Sequence, residues 1–168
     1  MNVVEREELA VVLVIVQSDL GLRFSDTQQL CERVKLRLIT IANNSHSGDV
    51  QAALQAWDFV GVELIVVQQK TGRPVAVNVS RALAGLVYAA LLDVPIGFWV
   101  NYKWYYRYLL RENAYYYPGS LGKAIVTHKG RHEVADRVYR DSNDVVAVAA
   151  ALGVSRSTAE YYLRDFRS

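Results

Sequence analysis

The feature that most constrains the fold is a short break between two helical runs near the C-terminus. Residues 145–152 (VVAVAAAL) are apolar and rich in alanine, and residues 156–166 (RSTAEYYLRDF) carry apolar side chains at helical spacing. Gly153 lies between the runs and can adopt a positive φ, which ends a helix and turns the chain sharply. We therefore expect two helices joined by a tight turn.

The residues around this turn favour close packing with a third, preceding helix. Ala149 is small enough to let two helices approach at their crossing, and Val154 is expected to bury at the turn. Ser155 can cap the second helix, and Ser142 or Asn143 can cap the first. The apolar positions expected to form the shared core are Val148, Leu152, Ala159 and Tyr162.

Residues 143–166 resemble the helix-turn-helix of DNA-binding regulators. The resemblance implies that the second helix is a recognition helix whose N-terminal residues meet base edges in the major groove. Arginine can bond guanine through two hydrogen bonds, and serine or threonine can meet bases or phosphates. The residues expected to contact DNA are Ser155, Arg156, Ser157, Thr158, Glu160, Tyr161 and Arg164.

The likeness extends upstream of the turn. YYYPG at residues 115–119 and RHEVADRVYRD at residues 131–141 precede the two helices. This layout is similar to that of the Mor-like middle-operon regulators of Mu-like phages, and the resemblance implies a regulator from a phage or another mobile element. The first hundred residues do not match that family's small dimerisation segment. The alternative is a helical tail that packs into the core or contacts a protein without binding DNA.

Positive charge and tyrosine are concentrated after residue 100. That part has 11 Lys+Arg and 7 Asp+Glu, against 8 and 10 before it, and ten of the eleven tyrosines. A helix expected over residues 102–112 places three cations four residues apart on one face, where they could neutralise phosphates. Alternatively, the aromatic side of this helix is core and its cations only face solvent. The stripe is Lys103, Arg107 and Arg111, and Lys123, Lys129 and Arg131 add charge beyond it.

The first hundred residues predict several helices. The segment that starts near Ser25 or Asp26, either of which can cap it, begins as a helix. Its end, at residues 34–42, is nearly alternating and β-branched, so helix and strand both remain open there. A loop is expected at residues 43–48 (NNSHSG). The predicted helices are residues 3–18, 26–42, 49–57 and 80–92.

Two valine-rich runs predict a small sheet. VGVELIVV at residues 60–67 and VAVNV at residues 75–79 are rich in β-branched residues, with Gly72 in the intervening turn and Pro74 at the entry to the second run. We expect a β-hairpin, and one long helix through the first run is the alternative. PIGFWV at residues 95–100 predicts a short buried strand.

Residues 58–102 contain an acid, a strand, a turn, a second strand, a helix and a short strand, in that order. This order resembles the core of the PD-(D/E)XK nuclease superfamily, and the resemblance implies a metal site built from an Asp and a later Glu-x-Lys. The weak catalytic candidates are Asp58 and Glu63. The Glu-x-Lys position reads Asn-Val-Ser at residues 78–80, and an amide is a poorer ligand for Mg²⁺ than a carboxylate. We therefore expect a degenerate core, with neither metal nor cofactor.

Cysteine content and hydropathy indicate the cellular compartment in which the protein is expected. A single cysteine, Cys31, excludes an internal disulfide framework and a Cys-rich zinc site, and it is expected to be a core thiol. The apolar run Leu9–Val16 follows acidic residues and is followed by Asp19, so we expect neither a signal peptide nor a membrane partner. We expect an intracellular, cytoplasmic protein.

The predicted architecture is an α/β (α+β) core, helix-rich with a small sheet, over residues 1–118, followed by a three-helix helix-turn-helix over residues 119–168. The expected function is sequence-specific binding of double-stranded DNA by a transcriptional regulator that forms a homodimer or a higher homo-oligomer. One alternative is a nuclease-like or transposition-associated protein that uses the tail for targeting. The other is a structural or interaction protein that does not bind DNA.

Overall fold

The computed structural model describes residues 3–94, 100–111 and 128–167. Over these residues the chain forms eight helices and one pair of strands, so the prediction of a helix-rich α+β protein with a small sheet is confirmed. The elements are α1 (Val3–Leu20), α2 (Phe24–Ser45), α3 (Val50–Ala56), β1 (Val62–Val67), β2 (Pro74–Val79), α4 (Arg81–Ala90), α5 (Tyr102–Arg111), α6 (Lys129–Ser142), α7 (Val145–Leu152) and α8 (Arg156–Arg167).

The strands β1 and β2 form an antiparallel hairpin, as the valine-rich runs predict. Val66 lies opposite Val75, and Gly72 in the connecting turn has a φ of +70°. Side chains alternate between buried and exposed along both strands, which is the pattern of a sheet with one face on a core. The alternative of one long helix through this region is therefore wrong.

The outer edge of β1 is closed by side chains of α2. The Gln29 side chain donates a hydrogen bond from Nε2 to the Val67 carbonyl oxygen and accepts one at Oε1 from the Val67 N–H, both at 3.1 Å. Arg33 donates to the carbonyl oxygen of Ile65. These bonds occupy backbone groups of β1 that point away from β2, where a further strand would pair.

Helix α2 runs without interruption through residues 34–42, whose sequence is compatible with both helix and strand. Apolar side chains four residues apart are completely buried there, so helical periodicity decides the structure and the strand alternative is wrong. The helix continues through Ser45, so the loop predicted at residues 43–48 begins later than expected. The buried residues at this spacing are Val34, Leu38 and Ala42.

Helix α2 also begins earlier than predicted. Arg23 is its N-cap residue, and no side chain there bonds to the helix backbone, so the predicted capping by Ser25 or Asp26 is wrong. The buried Asp26 carboxylate instead accepts a hydrogen bond at Oδ1 from the Gln69 N–H at 3.1 Å. This bond connects the first turn of α2 to the residues that follow β1.

Buried apolar side chains form two clusters. The main core is formed by residues of the five helices α1, α2, α3, α4 and α5 and of both strands. Its largest side chains include those of Trp57 and Tyr105. The Trp57 indole donates to the Val79 carbonyl oxygen at 2.8 Å, and the Tyr105 hydroxyl lies 2.7 Å from Gln17 Oε1. The second cluster is formed by residues of α6, α7 and α8. We call these three helices the C-terminal helix cluster.

The apolar run Leu9–Val16 belongs to α1 and faces the main core. Leu9, Leu13 and Val16 are almost completely buried there. In the ranges that the structure describes, no helix is both long and apolar enough to cross a bilayer.

Three predictions lie outside the described residues. They are the boundary between residues 118 and 119, the loop at residues 115–119, and the strand at residues 95–100 except for its last position. Lys123, predicted to extend the basic stripe, also lies outside the described residues.

Helix α6 packs directly on α1, so the C-terminal helix cluster is in contact with the main core. Gly130 is buried at this contact. A Cβ atom at Gly130 would lie inside contact distance of the Gln17 carbonyl oxygen and 3.0 Å from the Ser18 nitrogen. Because the obstruction is backbone, a side chain at this position would separate the two helices.

We predict that Gly130→Ala destabilises the protein by about 1–3 kcal/mol, the usual cost of forcing extra atoms into a packed interior. Urea unfolding followed by circular dichroism measures the change in the free energy of unfolding. Gly85→Ala is the matched control, because Gly85 also lies in a helix and its added Cβ would meet only the Leu54 side chain, at 3.2 Å. Equal stability of the two variants would contradict the close contact between α1 and α6.

Candidate nucleic-acid interface

The turn between α7 and α8 has the geometry that its glycine predicts. Gly153 has a φ of +65° and ends α7. The Val154 N–H donates to the Ala149 carbonyl oxygen at 3.0 Å, which closes the turn. The Thr158 N–H donates to Ser155 Oγ at 3.4 Å, so Ser155 is placed to cap the start of α8.

The start of α7 is capped by a different residue from those predicted. Asp144 is the N-cap, and its Oδ1 accepts a hydrogen bond from the Val146 N–H at 2.9 Å. Asn143 has a φ of +52° and ends α6, while Ser142 Oγ donates to the Val138 carbonyl oxygen at 2.7 Å. The prediction of Ser142 or Asn143 as the cap is therefore wrong, because both residues complete the preceding helix.

The four apolar positions predicted to meet in this region, Val148, Leu152, Ala159 and Tyr162, are all buried. The small or apolar residues that join them are Val134, Ala135 and Leu163. Since Ala159, Tyr162 and Leu163 occupy one side of α8, the core determines which side of that helix faces solvent.

The other side of α8 is polar and exposed. Thr158 is half-buried, and Arg164 lies in α8 with its side chain outside the described part. Arg156 Nε is 3.3 Å from Glu160 Oε1, and the two side chains are 71% and 54% exposed. An ion pair this exposed contributes at most about 0.5 kcal/mol, so another acceptor can readily replace it. The exposed residues are Ser155, Arg156, Ser157, Glu160 and Tyr161.

Arg131 makes hydrogen bonds that connect the C-terminal helix cluster to the loop between α1 and α2. Its guanidinium is completely buried and donates to the carbonyl oxygens of Gly21 and Leu152, at 2.8 and 3.1 Å, and to the Tyr162 hydroxyl at 3.0 Å. Burial lowers the pKa of Arg131, and the contact with Tyr162 opposes that shift. The expectation that Arg131 adds to an exposed cationic surface is therefore wrong.

Two other buried titratable side chains, His132 and Cys31, and the half-buried His128 have structural surroundings. His132 Nδ1 lies 3.0 Å from the Tyr162 carbonyl oxygen. Burial, with the positive charges of Arg131 and Arg23, lowers the pKa of His128 from 6.5 to about 4, so this ring is neutral at pH 7. Burial raises the pKa of the Cys31 thiol to about 12, as suits a core thiol rather than a nucleophile.

The basic stripe lies on the exposed side of α5, with the spacing that the sequence predicts. Tyr105 and Leu109, on the other side of the helix, are buried in the main core. Arg111 forms an ion pair with Glu7, with 2.7 Å between its terminal nitrogen and Oε1. The stripe therefore faces solvent, with one of its three cations partly neutralised. Its exposed members are Lys103, Arg107 and Arg111.

The two candidates from the nuclease resemblance have ordinary surroundings. Asp58 Oδ1 accepts a hydrogen bond from the Val60 N–H at 2.9 Å, which forms a turn before β1. Glu63 is exposed on β1, opposite Asn78 of β2. Among the residues that the structure describes, no group of three or more His, Cys, Asp or Glu is placed to hold a metal ion.

No protein-family model matches the chain, and no curated protein and no solved structure matches it significantly. The exposed side of α8 is polar, is fixed by a buried core and follows a tight turn.

We predict that Arg131→Met lowers the free energy of unfolding by at least about 2 kcal/mol, because two buried carbonyl oxygens lose their donor. Chemical unfolding followed by circular dichroism measures the loss. Arg140→Met is the control, since Arg140 lies on the same helix but is 71% exposed and forms an ion pair with Asp136. Its change should stay within about 0.5 kcal/mol. A similar change in both variants would contradict the role of Arg131.

Proposed function

We propose that the protein binds double-stranded DNA through α7 and α8, as a helix-turn-helix regulator does. The observation that carries the proposal is the two-sidedness of α8. Its apolar side is held in a core shared with α6 and α7, while its polar side faces solvent from the first residue after the turn. A helix supported in this way can enter the major groove with its N-terminal residues against base edges.

The exposed side chains of α8 have the chemistry that such a contact needs. The Arg156 guanidinium donates two hydrogen bonds to guanine O6 and N7 once it leaves Glu160. The carboxylate of Glu160 then accepts from the amino group of a neighbouring cytosine. The hydroxyls of Ser155 and Ser157, at the N-terminal end of the helix, bind phosphate oxygens, since backbone N–H groups there also favour an anion.

We further propose that the protein is a transcriptional regulator of a phage or another mobile element and acts as a homodimer or higher homo-oligomer. The resemblance of residues 115–119, residues 131–141 and the following helix-turn-helix to Mor-like regulators supports this role. A two-fold dimer presents two copies of α8 to half-sites about 34 Å apart, one turn of the DNA helix. Selection of bound duplexes from a random pool tests the dimer, because a two-fold dimer selects a palindrome.

A nuclease-like function has less support. The Asp58 carboxylate already accepts a hydrogen bond from the backbone N–H of Val60. The residue opposite Glu63 is Asn78, whose side chain is an amide rather than a carboxylate. Incubation of the bound duplex with Mg²⁺ distinguishes the two functions, because a regulator leaves the DNA intact. Cleavage that is lost in Asp58→Asn would favour the nuclease.

We predict that Arg156→Ala weakens binding to the selected duplex by about 1–3 kcal/mol, and binding to a random duplex much less. Fluorescence anisotropy with labelled duplexes measures both affinities. Arg140→Ala is a closely matched control, because both arginines are 71% exposed and both form an ion pair across one helical turn. Equal losses on the two duplexes would show that Arg156 contacts no base. A wild-type protein that binds neither duplex at low salt would overturn the proposed function.

The basic stripe on α5 gives a separate prediction. Each phosphate contact contributes about 0.9 to the slope of log K against log salt concentration. The triple variant Lys103→Gln, Arg107→Gln, Arg111→Gln should therefore weaken binding to selected and random duplexes alike and flatten that slope by about two to three units. An unchanged slope in a folded triple variant would show that the stripe is only solvated surface.

A further inference from the structure

The β-hairpin is attached to the turn that begins α8. Gln68, buried just after β1, donates from Nε2 to the Gly153 carbonyl oxygen at 2.8 Å. A Cβ atom at Gly153 would lie 3.1 Å from the Val75 Cβ, so the turn and the hairpin are in close contact. The Gln68 Oε1 accepts from Arg23, which fixes the orientation of the amide. The tip of the hairpin is thereby held in a defined position beside the start of α8.

A groove of about 290 Å³ lies between the hairpin tip and α8. Arg23 and Arg73 line it from the main core and the hairpin, and Ser155 and Thr158 line it from α8. The groove therefore brings two guanidinium groups together with the first turn of the proposed recognition helix. Cations and hydroxyls in this combination are donors to phosphate oxygens.

The hairpin tip itself is exposed and positively charged. The segment from Gln69 to Arg73 is exposed throughout and includes Lys70 but no acidic residue. Burial is the main cause of the lowered pKa of His128, and the charges of Arg131, Arg23 and Lys70 lower it further. The charges of Arg23 and Lys70 therefore both act on the His128 ring at the start of α6.

We propose that the hairpin tip is a second DNA contact, in which Lys70 and Arg73 bind phosphates of the strand that borders α8 in the major groove. The proposal rests on the proposed function and adds to it. The major groove is about 12 Å wide, so an element that flanks a helix inserted there meets the sugar-phosphate backbone at the groove wall. Lys70 and Arg73 contribute affinity that does not depend on sequence, and they set the position of α8 along the groove.

The double variant Lys70→Gln, Arg73→Gln tests the contact. Anisotropy titrations over a salt series should show the same fold-loss of affinity on the selected and random duplexes. The slope of log K against log salt should flatten by about two units, because each phosphate contact contributes about 0.9. The control variant Arg37→Gln, Arg140→Gln removes two charges from exposed positions on α2 and α6 and should leave the slope unchanged.

An unchanged slope in the double variant, with normal binding by the wild type, would overturn the hairpin contact and leave the α8 interface standing. A loss confined to the selected duplex would also overturn it, because phosphate contacts are independent of sequence. Absence of wild-type binding would overturn both proposals. Circular dichroism checks folding, and if the double variant unfolds, Lys70→Gln and Arg73→Gln measured singly should each flatten the slope by about one unit.

Discussion

The buried guanidinium of Arg131 determines how the two halves of the described structure fit together. Its three acceptors belong to the connection between α1 and α2, to the end of α7 and to α8. Without that donor, the carbonyl oxygens of Gly21 and Leu152 would be buried without a partner, which is costly in a protein interior. Close packing at Gly130 brings the guanidinium to this position. The C-terminal helix cluster is therefore in direct contact with the main core and hydrogen-bonded to it.

The features that sequence patterns predicted well are those that depend on near neighbours in the chain. The hairpin follows from β-branched runs around Gly72, and the turn after α7 follows from Gly153. The sequence of residues 34–42 is compatible with both helix and strand, because it shows alternation as well as helical periodicity. Burial of Val34 and Leu38 in the folded protein favours the helix. The cap of α7 was misplaced by one or two residues, since Ser142, Asn143 and Asp144 are all good capping residues.

The features that sequence analysis missed depend on residues far apart in the chain. Arg131 lies in a basic segment and was therefore predicted to face water, yet one of its acceptors, Gly21, is 110 residues away. Gln68 and Gly153 are separated by 85 residues, and no local pattern relates a glutamine after a strand to a later turn. The exposed side of α8 could be predicted because apolar spacing within one helix fixes it. The position of the hairpin tip beside α8 could not be predicted, because it depends on this contact between distant residues.

The side chains of Gln29 and Arg33 along β1 also affect how this protein behaves at high concentration. A two-stranded sheet with Ile65 and Val67 on its exposed face is a surface on which another chain could begin a cross-β stack. Because the Gln29 amide already makes both hydrogen bonds to Val67 that a neighbouring strand would make, an incoming segment must first displace it. The backbone groups at Val67 are thus occupied from within the same chain, which opposes the addition of a further strand at this edge of the folded protein.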